Sequence, residues 1–517
     1  MTRRCTQRNG KRLICIRDCI LGLLITDKNL EVLLASYESY GRNMETQRTI
    51  AVIGAGVSGT LTAYHLVRQH VGAKVVLIDP QSNPGLGLAY STPSYRHLLN
   101  VPAGKISALP DQPNHFLEWL QKHYDASMTG SDFAPRAVFG LYIQWLLSTV
   151  PGVKHRQTVV VDADVVGHQV RLDLADGTML LADAVVLATG NFDPAPLRGV
   201  SQEVAHTGVY CHSAWVDSTY AGLPQEAPVA LIGSGLTAVD VVLRLRETGH
   251  RGQVIAISRH GVFPNRHATY KPLDTALISG PPPTKARELL HAIHSAIKSG
   301  MDWRAVIDSL RERTNELWLA LPLAEQKRFR RHLQRRWDVV RHRMAPPIAD
   351  VIEAELTAGT LVMMRGSLYG VLPSPLGARV QFQEGDFIRE VDAARVINCT
   401  GPDMNYRRVG STLLKSLFEK GLIVSGPHGS GLWTSDCGAL RDLTGAFSDL
   451  LFHVGPGRLG TLLESIAVPE LRNQARDMAE LLSARFRAAE QAADTGNTVI
   501  DTEFSTAVSR VDYELAS

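Results

Sequence analysis

Residues 49–59 read TIAVIGAGVSG. An apolar run of strand length meets a Gly-x-Gly-x-x-Gly turn at Gly54, Gly56 and Gly59, and Leu61, Tyr64, Leu66 and Val67 then follow with helical spacing. A second apolar run, Lys74–Ile78, stops at Asp79. Strand, glycine turn, helix, strand and acid, in that order, form the fingerprint of a dinucleotide-binding βαβ unit. Gly54 permits the tight turn, Gly56 lets backbone approach a pyrophosphate, and Gly59 lets the helix pack on the strand. The helix N-terminus offers free N–H groups and partial positive charge to phosphates. Asp79, 25 residues after Gly54, is placed to accept hydrogen bonds from an adenosine ribose.

The same order recurs about 180 residues on, where residues 229–238 read VALIGSGLTA. Gly233 and Gly235 hold the first two glycine positions, and Ala238 stands in the third, a change the fold tolerates. The strand after this helix ends at Ser258-Arg259-His260 instead of an acid. A carboxylate here would repel the 2′-phosphate of NADPH, whereas the Arg259 guanidinium can hold it through paired, charge-assisted hydrogen bonds. NADPH is therefore expected over NADH at the second unit.

These two units predict an α/β fold with two Rossmann-like dinucleotide-binding domains. Residues 44–195 are expected to form the first part of one cofactor domain and residues 396–490 its second part. Residues 196–395 would form the other domain, with a helical insertion at about 284–357. Between the units, 159–164, 169–174 and 178–182 alternate around the Asp176-Gly177 turn as a hairpin. Phe329, Leu333, Trp337 and Val340 predict one apolar helix face in the insertion, and a last long helix is expected from Leu462 to Glu490. Residues 491–517 read as a C-terminal tail.

With 44% hydrophobic and 20% charged residues the chain reads as globular. A net charge of +3 over 517 residues gives no reason to expect nucleic acid or an anionic membrane as partner. Arg328 to Arg343 contains seven arginines, which read as the solvated face of an amphipathic helix. Six cysteines form no Cys-x-x-Cys pair and fit reduced, cytoplasmic thiols. The apolar run Leu13–Ile25 is interrupted by Arg17 and Asp18 and is too short to span a bilayer. Residues 1–43 are expected to be an unstructured extension before Met44. No metal site is expected, and metallohydrolase, serine hydrolase and P-loop motifs are absent from the sequence.

The series GAGVSG, GLGLAY at 85–90, HLLNVPAGKISALP at 97–110, ATG at 188–190, GSGLTA, SRHG at 258–261 and VGPGRLGTLLESIAVPELRNQA at 454–475 resembles the bacterial FAD/NAD(P)-binding oxidoreductases. These are distant relatives of the flavin-containing and N-hydroxylating monooxygenases, and one branch includes FAD-dependent urate hydroxylases. The resemblance implies FAD at the first unit, with Gly85, Asn100, Val101 and Pro102 lining its flavin side. Thr189 and Gly190 fall in a strand-end turn near the nucleotide, with a similar turn at Gly401. Gly455 to Gly460, followed by a helix beginning near Thr461, would approach the flavin ring. The acidic residue that flavoproteins usually place in this last segment is missing. Gly208 and His212 keep part of the linker pattern of flavin-containing monooxygenases, but His206 replaces its aromatic and Trp215 falls one residue early.

The implied activity is an FAD-dependent oxidoreductase reduced by NADPH, acting as a monooxygenase on a small polar molecule with O2. The alternatives are a flavin reductase that does not activate oxygen and a redox-sensing flavin protein with little turnover. No catalytic acid or base, substrate or oligomeric state follows from these residues.

Overall fold

A computed structural model describes residues 48–494. The expectations for residues 1–43 and for 495–517 of the tail lie outside these. The strands Thr49–Ile53, Lys74–Ile78 and Ala184–Leu187 are apolar, β-branched and buried on both faces, as strands of a parallel sheet covered by helices must be. They belong to a six-stranded sheet ordered 439–441, 447–453, 184–187, 49–53, 74–78 and 153–156. The strand Phe447–His453 runs parallel to Ala184–Leu187, so a segment from the last quarter of the chain completes the first sheet.

A second, five-stranded sheet is parallel throughout, in the order 361–365, 254–258, 229–232, 395–398 and 210–211. The chain leaves this sheet at Asn398, a few residues beyond the boundary expected at 395. Two three-stranded antiparallel sheets complete the set, Val160–Ala182 beside the first sheet and Ser367–Ala393 beside the second.

The helix Val57–Arg68 lies between two clusters that it joins. Val57, Leu61 and Tyr64 pack with Phe116, Phe139, Tyr142 and Leu471, while Leu66 packs with Ile50, Val52, Phe452, Met478 and Leu482. Residues of the long helix Val468–Asp494 thus close both sides of the first glycine helix. Removing a side chain such as Leu61, fully buried here, would cost about 2–5 kcal/mol.

Three expectations are corrected. The last helix begins at Val468, not Leu462 or Thr461. A helix continuing through 461–468 would lose its hydrogen bond at Pro469 and clash there, whereas proline is tolerated in a first turn. Residues 463 and 464 instead donate their N–H groups to Asn315 Oδ1, and Trp318 Nε1 donates to Thr461 O. Phe329 and Trp337 do not share one helix, because Leu333 (φ −117°) separates Leu323–His332 from Gln334–Arg341. The arginines between 328 and 343 are not simply a solvated face, since Arg330 and Arg335 are half-buried and Arg341 and Arg343 fully so. Arg343 pairs with Asp308, and Arg341 lies 3.6 Å from Glu464 and 3.5 Å from Glu470, which ties the helical layer to the first turn of the last helix and the segment ahead of it.

Two buried histidines make stability sensitive to acid. Burial, with Arg68 nearby, lowers the His65 imidazole to about 4, and burial, with Arg458 nearby, lowers His453 to about 3. Both are neutral in the folded chain, whereas an unfolded histidine titrates near its ordinary 6.5. Below that value the unfolded state takes up protons that the folded state refuses. The stability present above pH 6.5 is therefore lost progressively as pH falls towards 4 and then 3. Urea unfolding should show a lower midpoint at pH 5 than at pH 7, with a shallower pH dependence for His65→Gln. An unchanged slope in that variant would contradict the assignment.

Candidate functional sites at two glycine turns

At the first turn Gly54 adopts φ +103°, and a Cβ there would lie 2.3 Å from Ala188 O. A Cβ on Gly59 would lie 1.8 Å from Gly54 O. No other residue fits either position. The helix Val57–Arg68 has no side-chain cap and no acid in its first turn, so its leading N–H groups stay free for an anion. Asp79 sits at the end of its strand, where Oδ2 accepts from Ala55 N at 2.7 Å and Oδ1 from Gln81 N at 2.8 Å. Each carboxylate oxygen keeps a second lone pair.

Distant segments converge on this turn. Gly85 N donates to Ala55 O (2.7 Å), and a Cβ on Gly87 would lie 3.0 Å from the Gly56 Cα, so residues 85–90 lie against the phosphate-side backbone. Val101 is buried with Val57 and Leu61. Thr189 follows the carbonyl that contacts Gly54, and its Oγ1 is buried without a hydrogen-bond partner among the described residues. Gly455 (φ +105°) approaches the same helix, where a Cβ would lie 2.8 Å from Ser58 Oγ. Its backbone is fixed by Gln474 Oε1 on the N–H and by Ser465 Oγ on the carbonyl. Gly460 is not part of this convergence: it packs under Leu432, where a Cβ would meet the carbonyl at 2.3 Å. A glycine cradle, an uncapped helix and an unsatisfied buried hydroxyl together fit a dinucleotide.

The second turn repeats the first. Gly233 has φ +117°, and a Cβ there would lie 2.4 Å from Cys399 O, as Gly54 meets Ala188 O. Gly235 has open space before it, and the helix Leu236–Glu247 is likewise uncapped and free of acids in its first turn. Ser234 Oγ donates to Val262 O (2.7 Å) and lies 2.8 Å from Ser258 Oγ, folding the Ser258–Gly261 turn over the glycines. Arg335 Nη2 donates to Ser234 O and Val262 O, at 3.2 and 2.9 Å. Arg259 is exposed at the strand end. Partial burial, followed by the guanidiniums of Arg259, Arg335, Arg365 and Arg336, lowers the His260 imidazole below its ordinary range.

Specific polar contacts join the two units near their glycine turns. His97 Nε2 donates to Asp240 O (3.0 Å), and Arg136 pairs with the Asp240 carboxylate at 2.7 Å. His267 Nε2 donates to Asn100 O (2.9 Å). The chain crossings run side by side, with Asn398 Nδ2 donating to Ala195 O and Asp403 N to Asp193 O. Gly190 and Gly401 both have positive φ in these crossings, and Gly190 O accepts from Tyr406 Oη. His212 lies 3.2 Å from Tyr210 Oη through its Nδ1.

Arg335 and a polar recess of about 190 Å3 were not singled out from the sequence. Asp338, His342 and Glu464 line the recess beside Leu459. Burial pushes the Asp338 carboxyl up, while burial and Arg341 hold the His342 imidazole down. Both groups are thus disposed towards neutrality and able to hold or release a proton. Their clue lay within the arginine run, but the partner segment is more than 120 residues away.

Residues 51–192 match the model of a family described as FAD-NAD(P)-binding. Over 252 residues the chain is 23% identical to the uncharacterized protein YdhS of Escherichia coli (strain K12), a match covering 45% of each protein, so it spans less than half that relative's length. Among solved structures, FAD-bound DfoA, a cadaverine monooxygenase of desferrioxamine biosynthesis in Erwinia amylovora, aligns with a TM-score of 0.61 at 15% identity, covering 84% of this chain and 94% of that one. The ornithine N-hydroxylase KtzI of Kutzneria sp. 744, with reduced FAD, NADP+ and L-ornithine, aligns at 0.58 and 14% identity, covering 85% and 99%. The bacillithiol disulfide reductase Bdr of Bacillus cereus aligns at 0.51 and 14%, also covering 85% and 99%. The described residues contain no helix long and apolar enough to cross a membrane. Residues 51–192 thus match an FAD/NAD(P)-binding family, and the chain has the two-dinucleotide-binding flavoprotein fold shared with these structures.

Proposed function

We propose that the chain is an NADPH-dependent FAD monooxygenase of a small molecule, with FAD at the Gly54 turn and NADPH at the Gly233 turn. The observation that carries this reading is the direct linkage of the two units: Asp240, on the helix that follows the second turn, is held by both His97 and Arg136 of the first unit. FAD, when bound, accepts hydride from NADPH and passes electrons to O2 or another acceptor. Within this reading Gly54, Gly56 and the N–H groups of the first glycine helix hold the FAD pyrophosphate, Asp79 takes its ribose, and Thr189 Oγ1 finds its partner on the cofactor. Gly85, Asn100, Val101, Gly190, Gly401 and Gly455 form the surrounding wall. Gly233 and Gly235 hold the NADPH pyrophosphate, and Arg259 takes its 2′-phosphate. The recess at Asp338 and His342 supplies or takes protons. A dithiol relay to another acceptor lacks support, because the sequence has no Cys-x-x-Cys pair and burial raises the Cys399 thiol above its ordinary range.

Anaerobic stopped-flow mixing of the FAD-loaded protein with NADPH tests the reading directly. NADPH should bleach the oxidised flavin and oxygen should restore it, with NADH slower; a flavin indifferent to both nucleotides would leave a binding or sensing role instead.

Arg259→Ala should weaken NADPH binding by roughly ten- to a hundred-fold, the value of one charge-assisted contact, and leave NADH binding unchanged. Equal losses for both nucleotides would remove the 2′-phosphate assignment.

Gly54→Ala should purify without flavin, because the new methyl meets Ala188 O. Gly177→Ala, at another positive-φ glycine but in open space, should keep its flavin. Flavin content measured by absorbance after denaturation distinguishes the two.

A further inference from the structure

A cavity of about 660 Å3 lies within the helical layer formed by Ala286–Lys298, Trp303–Asp308, Thr314–Leu319, Leu323–His332 and Gln334–Arg341. Its deep wall is apolar, made by side chains such as Leu310, Leu317 and Trp318, each less than 5% exposed. Folded interiors are packed nearly without voids larger than a water molecule, so a space of this size is not ordinary core. It falls within the roughly 300–1,000 Å3 of ligand sites. No residue of 54–59 or 233–238 lines it, but His260, Val262 and Arg335 do, so its rim adjoins the second glycine turn while its depth lies within the helical layer. Leu463 lines both this cavity and the polar recess at Asp338, so its far wall adjoins the segment that follows Gly455–Gly460.

The charge on the lining has one sign. Arg335 and Arg336 contribute to the wall beside the imidazoles of His260 and His294, and no aspartate or glutamate does. His260 and Arg336 are exposed, which places them at the rim. Arg335 is engaged with backbone carbonyls of Ser234 and Val262, leaving Arg336 as the guanidinium available at the rim. A ligand filling the apolar depth and reaching the rim would meet cations there. An ammonium head would be repelled, and a carboxylate could be held by a charge-assisted hydrogen bond.

We propose that this cavity binds a ligand with a single aliphatic chain ending in a carboxylate. The inference departs from the small polar substrate expected from the sequence. It does not rest on NADPH-dependent turnover, since occupancy of the cavity is measured by binding alone.

Isothermal titration of the full-length, FAD-loaded protein with dodecanoate, below its micellar concentration and without NADPH, provides the test. One molecule should bind saturably per chain, and dodecylamine should bind roughly tenfold more weakly or less. Leu317→Trp, which fills the cavity, should abolish binding while flavin content is retained. Arg336→Glu, an exposed position whose substitution leaves the core intact, should weaken dodecanoate by roughly tenfold and narrow its advantage over dodecylamine. If Leu317→Trp does not fold, Arg336→Glu decides. The proposal is overturned by the absence of saturable dodecanoate binding, by equal or tighter binding of dodecylamine, or by unaltered affinity in Arg336→Glu.

Discussion

The contact on which the architecture depends is made by backbone alone: the Ala188 carbonyl meets the Cα of Gly54 where no side chain could stand. It lets the strand Ala184–Leu187 run beside Thr49–Ile53 and then cross directly over the glycine turn. The same solution appears at Gly233 beneath the Cys399 carbonyl. In both units a strand-end turn closes one side of the phosphate-binding backbone and leaves the helix N-terminus open on the other. Two uncapped helix ends, each with free N–H groups, are the electrostatic result.

Around this repeated contact the two units differ in how charge is used. The first ends its second strand in Asp79, already committed to the loop amide of Ala55. The second ends in Ser258 and gathers Arg259, Arg335, Arg336 and Arg365 near His260. Arg335 comes from the helical layer, 101 positions from Ser234, so the layer both encloses the apolar cavity and braces the second turn. Asp308, Glu464 and Glu470 take the arginines that face inward. Such pairs cost desolvation, and their burial is sustained by the hydrogen bonds and neighbours around them.

Much of the fold could be read directly because its signals are local. Each glycine turn lies within about ten residues of its strand and helix, and the Asp176-Gly177 turn sits between strands that pair in register. The arginine run misled because burial there depends on carboxylates far away in sequence. Periodicity carried Phe329 and Trp337 onto one face and missed the break at Leu333, where backbone conformation overrides an uninterrupted apolar pattern. The start of the last helix was visible in Pro469, whose missing N–H suits a first turn and not a helix interior. The approach of Gly455 to Ser58 had no local signal at all, because it requires the last quarter of the chain to return to the first helix.

That return governs the order in which the chain can fold as it is made. The second sheet has all its strands once Asn398 has emerged, whereas the first must wait for Phe447–His453 to pair with Ala184–Leu187. At about 5–20 residues per second, a nascent chain would carry that unpaired strand edge for on the order of ten seconds or more. An open parallel edge of apolar residues is a template for wrong partners. The unit that begins the sequence is thus the last to be completed, and its exposed edge is the point at which a ribosome-associated chaperone would have most to protect.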